Sequence, residues 1–234
     1  MNRMQNPNLE ILTLAVNQLG KLADDLVFLG GCATGLLITD PAAPPIRVTR
    51  DVDAIVQVLT LADYRQLEKR LRAHGFSEDS SDDAPICRWT SGDVILDVMP
   101  TDTRILGFGN QWYAPAIQNA DSILLSSGRQ IRMVSAPYFL ITKLEAFDGR
   151  GSGDYLMSHD IEDIIAVLDG RPSLIAEVKR APAELVQELE KRFRSLLQDR
   201  QFIDAVSGHM PADAMSQARV PIILDRISKL AASK

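Results

Sequence analysis

The sequence predicts an α+β fold, with a small mixed β-sheet core over residues 1–135 and a C-terminal helical domain over 136–234. Alternation of strand type is confined to the first part, where Asp51–Val58 and Val94–Met99 each read apolar and polar in turn. From Ala136 onward the apolar residues recur at helical spacing instead, as in Leu185, Leu189, Phe193 and Leu196. Strands first and helices after place the seam near residue 135.

Taken in order, Leu9, Leu12, Val16 and Leu19 form the stripe of an opening helix over 8–23. Leu26–Leu29 is a short apolar strand ending in Gly30-Gly31, and 32–38 is a short helix stopped by the Pro-rich loop through Pro45. After the strand at 51–58 comes a helix over 61–74 ended by Gly75, then a polar loop, Ser77–Asp83. Pro85–Thr90 and Val94–Met99 make a hairpin about the turn Ser91-Gly92-Asp93. A loop-rich stretch leads to a strand at about 130–134. Helices follow over 136–148, 159–169, 173–200 (broken near Pro182) and 212–232.

Composition narrows the classes. Of 234 residues, 46% are hydrophobic and 24% charged, which excludes a disordered tail or a fibre. No apolar run approaches the ~18 residues of a membrane span, and the opening MNRMQNPNLE lacks the apolar core of a secretion signal. Two cysteines, Cys32 and Cys87, are too few for a disulfide framework, so the expected compartment is the cytoplasm. A net charge of −6 argues against holding nucleic acid by bulk electrostatics.

Three features carry chemistry. Glycines at a strand end opening a helix let a phosphate approach the backbone and meet the helix amides, although such a pair is more often a tight turn. In Thr49-Arg50-Asp51-Val52-Asp53 the two carboxylates share one strand face and repel unless a cation compensates; a divalent ion does this, and a solvated edge strand is the plainer alternative. Asp97 stands alone in the apolar run Val94–Met99, where an unpaired buried charge is costly, and beside the first acidic strand it would complete a three-carboxylate set. Lys143 lies among apolar residues of its helix, where a cation has to reach toward something. Asp160, following Ser158-His159, fits either a helix start or a site role. The basic residues at 179–180 and 191–194 interleave with glutamates as a solvated face does.

The order Gly30-Gly31, short helix, Asp51-x-Asp53 and a later strand Asp97 resembles the nucleotidyltransferase fold of the DNA polymerase beta superfamily. Within it the likeness is to AbiEii-type toxin nucleotidyltransferases, whose lysine-centred motif Thr142–Phe147 resembles, with Arg150 and Asp160–Ile164 after it. The likeness covers about residues 26–169. Where that family has Ser or Thr after the glycines, this chain has Cys32, and the nearest hydroxyl is Thr34. The resemblance implies Asp51, Asp53 and Asp97 as ligands of Mg²⁺ or Mn²⁺, with Lys143 assisting the nucleotide. It also implies Gly30, Gly31, Cys32, Thr34, Arg50 and Asp160 around the nucleoside triphosphate. The expected reaction moves a nucleoside monophosphate to a hydroxyl on an RNA end, a protein or a small molecule, in a chain with a possible antitoxin partner. The alternative is a nucleotide-binding or scaffold protein that keeps the fold without turnover.

Overall fold

A computed structural model describes residues 7–151 and 153–232. The segment 1–6, where the leader was sought, lies outside the described residues. The chain divides into two compact units. One comprises the residues up to Gly35 together with Arg47–Ser135, and the other comprises Leu36–Ile46 together with Ala136 onward.

The first unit is built on a seven-stranded mixed sheet. Helix α1 (Pro7–Leu19) buries Leu12, Val16 and Leu19 of the predicted stripe together with Ala15, while Leu9 is half-buried, and a 3₁₀ turn over Gly20–Asp25 leads into β1 (Leu26–Leu29), whose four residues are all buried. Helix α2 (Gly30–Leu37) starts at the glycines themselves, not after them, and Gly30 has φ +73, a value that glycine adopts without a Cβ penalty. Strand β2 (Asp51–Val56) is followed by α3 (Leu61–Ala73), which Thr60 caps by accepting from the Asp63 amide at 3.1 Å. Then come β3 (Ser77–Glu78), β4 (Arg88–Ser91) and β5 (Val94–Pro100). The expected polar loop at 77–83 therefore begins with two residues of strand, paired with Trp89 and Thr90. The loop-rich stretch holds α4 (Thr103–Leu106), α5 (Tyr113–Gln118) and β6 (Asp121–Leu124), and β7 (Gln130–Met133) completes the sheet.

The strands lie in the order β3-β4-β5-β2-β1-β7-β6. β2 runs parallel to β5, with Asp53 opposite Asp97. It runs antiparallel to β1, with Asp53 opposite Leu29. Phe28, Val52, Ala54, Trp89, Leu96 and Val98 are register neighbours on one face and all are buried. Each large apolar side chain so placed contributes about 1.5–3 kcal/mol relative to exposure. Because strand side chains alternate, that buried face forces Asp51, Asp53 and Asp97 onto the other one.

The second unit is helical: α6 (Ala136–Arg150), α7 (His159–Gly170), α8 (Leu174–Arg180), α9 (Ala183–Gln198), α10 (Arg200–Gly208), α11 (Ala214–Gln217) and α12 (Val220–Ala231). The break expected near Pro182 separates α8 from α9, because proline has no amide to donate. The helix expected over 212–232 is two, α11 and α12, and α10 precedes them behind the cap Asp199, which accepts from the Gln201 amide at 2.9 Å. Leu36–Ile46 is held within this unit by its backbone. The Thr39 and Asp40 amides donate to the Gly170 carbonyl at 2.8 and 2.9 Å, and Arg171 donates to the Leu37 carbonyl at 2.8 Å. Arg219 joins Asp40 at 2.6 Å to Asp169 at 2.7 Å, two carboxylates 129 residues apart in the chain.

Candidate functional site

In the first unit the site is assembled by strand register. Asp51 and Asp53 are two residues apart on β2, and Asp97 faces Asp53 from the adjoining parallel strand. The hairpin register then sets Arg88 of β4 opposite Asp97. Paired residues of neighbouring strands point to the same side, so three carboxylates and a guanidinium meet on one face.

Arg88 grips Asp97 as a two-pronged fork, Nε to Oδ1 at 2.9 Å and Nη2 to Oδ2 at 2.8 Å, and the same Nη2 reaches Asp51 Oδ2 at 3.2 Å. Asp51 also accepts from Thr49 Oγ1 at 2.6 Å. The side chain of Asp97 is 9% exposed and that of Asp51 34%. Hydrogen bonding to Asp97 holds the Arg88 guanidinium in its charged form well above its ordinary range. The neighbouring Cys87 thiol is pushed up to about 12, first by burial and then by the Asp97 charge, which makes it unreactive.

Asp53 turns toward the glycines. A Cβ built on Gly30 would stand 1.8 Å from Asp53 Oδ2, so the carboxylate lies in the space that glycine leaves open. The equivalent atom on Gly31 would stand 2.6 Å from Arg47 Nη2. Asn8, fully buried in α1, fixes this corner by donating to the Gly31 and Arg47 carbonyls at 3.3 and 2.9 Å and accepting from the Thr49 amide at 3.0 Å.

Of the other residues singled out from the sequence, Arg50 is exposed. Cys32 and Thr34 are buried in α2, where the thiol donates to the Leu29 carbonyl and the hydroxyl to the Gly30 carbonyl, each at 3.3 Å. Both side chains thus finish the start of their own helix. Lys143 and Asp160 belong to the second unit. Lys143 is buried and holds Asp160 at 3.0 Å and Asp163 at 2.7 Å, while Arg150 forks onto Asp160 at 2.9 and 2.8 Å. Burial pushes the Asp160 carboxyl up, but the Arg150 hydrogen bonds and the Lys143 charge outweigh it, leaving the group below its ordinary value of 3.8. Ser158 supplies the helix cap, so Asp160 is released for these ion pairs.

Arg47, Arg88 and Asp163 were not among the residues expected from sequence. Asp163 follows Asp160 by three positions on one helix face, and Arg88 follows from counting back across the hairpin turn. Nothing periodic marks Arg47.

The expectation of three carboxylates converging on one point meets a difference here. Among the described residues no three His, Cys, Asp or Glu side chains stand together as a ready metal cage. A guanidinium bridges Asp51 and Asp97, and the Asp53 carboxylate lies against Gly30. The donor set is nonetheless all hard carboxylate oxygen, the chemistry that Mg²⁺ and Mn²⁺ take, and it already accommodates one cation.

No protein-family model matches the chain, and no curated protein sequence matches it. Among solved structures it is similar to the antibiotic-resistance factor ANT(2″)-Ia at 17% identity, with 83% of this chain and 95% of the other covered and a TM-score of 0.47. It is also similar to a candidate nucleotidyltransferase from H. pylori, at 14% identity, 97% and 95% coverage and a TM-score of 0.46. A third likeness is to JHP933 from Helicobacter pylori, at 12% identity, 97% and 93% coverage and a TM-score of 0.44. Among the described residues no helix is long and apolar enough to cross a membrane.

Proposed function

We propose that this chain is an enzyme, a metal-dependent nucleotidyltransferase that moves a nucleoside monophosphate from a triphosphate to a hydroxyl acceptor. The reading rests on one observation: Asp53 is the register partner of Asp97, shares its face with Asp51, and sets its carboxylate against Gly30 at the start of α2. A site for charged phosphate needs backbone amides, a helix start and compensated carboxylates within one corner, and these residues supply that set.

Asp51, Asp53 and Asp97 would hold Mg²⁺ or Mn²⁺, which supplies charge stabilisation to the phosphoryl oxygens when bound. Gly30 and Gly31 give the triphosphate close access to the α2 amides, and Arg47, held against Gly31, adds a cation on that side. Thr49 keeps one Asp51 oxygen oriented by its 2.6 Å hydrogen bond. Asp97, its oxygens oriented by the Arg88 fork, would hold the ion that activates an acceptor hydroxyl.

Incubation with each α-labelled nucleoside triphosphate, Mg²⁺ and total cell RNA or protein tests the reading. Label transfer that is lost in Asp51→Asn, Asp53→Asn and Asp97→Asn supports it and names the acceptor class, whether RNA end, protein or small molecule. Folded protein that binds triphosphate but transfers no label supports the second reading, a nucleotide-binding scaffold, which the Arg88 bridge across Asp51 and Asp97 favours. The AbiEii-type likeness adds a toxin role with an antitoxin partner, tested by growth arrest on expression and its reversal by a co-expressed neighbour.

A further inference from the structure

We propose that Arg88 is the positioning residue of the carboxylate face, an internal cation that locks Asp97 and gives up Asp51 when a divalent ion enters. This rests on the metal-binding reading of Asp51, Asp53 and Asp97.

The contacts are unequal. Two short hydrogen bonds, 2.9 and 2.8 Å, make a planar fork onto Asp97, the geometry for which guanidinium and carboxylate are matched. The bond to Asp51 is single, 3.2 Å long, and shares its donor nitrogen with Asp97. It also spans β4 to β2, across the intervening strand β5, whereas Arg88 and Asp97 are direct register partners. Asp97 is the more enclosed of the two carboxylates, at 9% exposure against 34%. Losing the Asp97 contact would strand a charge in a desolvated place; losing the Asp51 contact returns a carboxylate to water.

Without a cation, three carboxylates on one face repel one another. Arg88 supplies one positive charge to two of the carboxylates, Asp97 and Asp51, enough to hold that pair together and too little to neutralise it. A divalent ion carries more charge and needs Asp51, the ligand that Arg88 holds least. After that exchange the fork still fixes how the Asp97 oxygens are presented, and this orientation is what a lysine at the same position could not reproduce.

Mn²⁺ binding to the nucleotide-free protein, followed by loss of the free-ion paramagnetic resonance signal, reads this directly. Arg88→Gln removes the competing charge and is expected to tighten Mn²⁺ binding by about five- to a hundred-fold, the usual span of coupling between two ligands. Arg88→Lys keeps a charge without the fork and should fall between wild type and Arg88→Gln, and it carries the comparison if Arg88→Gln does not fold. Asp51→Asn should abolish the binding in every background. A residue that merely braces the hairpin would lower thermal stability without tightening metal binding. Asp51-dependent Mn²⁺ binding that is unchanged or weaker in both Arg88 variants overturns the proposal and leaves the metal site standing. Absence of Asp51-dependent binding in wild type and both variants overturns the metal site itself, and this proposal with it.

Discussion

Asp53 and Gly30 occupy one another's space: the carboxylate oxygen of the first lies where the second would carry a Cβ, 1.8 Å from that position. Strand β2 can therefore present Asp53 toward the start of α2 only while residue 30 has no side chain.

Gly30→Ala should accordingly be expensive twice over. The φ of +73 penalises any L side chain by roughly 1–2 kcal/mol, and the Asp53 carboxylate has to move. Urea unfolding should show a loss of about 2–4 kcal/mol, within the range for strain and overpacking together. Gly31→Ala meets the far end of Arg47, a flexible side chain, and Thr49 Cβ only at 3.4 Å, so its stability should stay within about 1 kcal/mol of wild type. On the proposed reading Gly31→Ala nevertheless weakens triphosphate binding, measurable by equilibrium titration.

The two carboxylates that share Arg88 should separate in denaturation experiments. Asp97→Asn leaves Arg88 without its fork in an enclosed place and is expected to cost about 1–3 kcal/mol after allowing for the part of Arg88 that water reaches. Asp51→Asn should cost less than about 1 kcal/mol, since that carboxylate is one-third exposed. Equal losses would mean that the Asp51 bridge matters as much as the fork.

Lys143→Ala takes a shared cation from two buried carboxylates, Asp163 and Asp160, of which Asp160 keeps its fork from Arg150, and should destabilise the protein by about 3 kcal/mol. Lys191→Ala removes an exposed partner of Glu188 and should change stability by less than about 0.5 kcal/mol. Thermal melting of the two variants side by side checks the contrast. If Lys143→Ala melts as wild type but loses label transfer, its weight lies with the nucleotide, as the family resemblance implies.

The same cluster gives the protein an acid limit. Asp160 titrates below 3.8 when folded, so below that value the unfolded chain binds a proton that the folded one still refuses. Its contribution is therefore complete above the ordinary carboxylate range and lost as pH falls through 3.8 toward the folded value. Asp40, lowered by its hydrogen bond from Arg219, follows the same course. Unfolding free energy measured from pH 6 to pH 3 should fall steeply at the acid end, and Arg150→Gln should flatten that fall.

Much of this was legible in the chain. A strand alternating at Asp51, Val52, Asp53 and Ala54 states that two carboxylates share a face, because side chains alternate with period two. The hairpin turn at Gly92-Asp93 states more than was read from it: if Ser91 pairs with Val94, Arg88 must oppose Asp97. Which strand lies beside β2 is a different matter. The parallel pairing of Asp53 with Asp97 spans residues far apart in sequence, and local periodicity is blind to it. Arg47 was hidden for a similar reason, since its backbone is held by Asn8, which is 39 positions away. The family resemblance sets Cys32 and Thr34 around the triphosphate; in the structure their side chains are turned to the carbonyls of residues 29 and 30.

The segment Leu36–Ile46 interrupts the first unit in sequence and is secured by residues made long after it. Asp40 meets Arg219 across 179 positions. During synthesis at ~5–20 residues per second, Asp40 waits about 10–35 seconds for that partner to emerge. The Gly170 carbonyl and Arg171, which hold the backbone of the linker between α2 and β2, emerge earlier, so only the Asp40 carboxylate waits for the whole of that interval. The linker is thus translated early and clasped late, and a ribosome pausing before Arg219 would hold the nascent chain with its sheet residues present and Asp40 still without that partner.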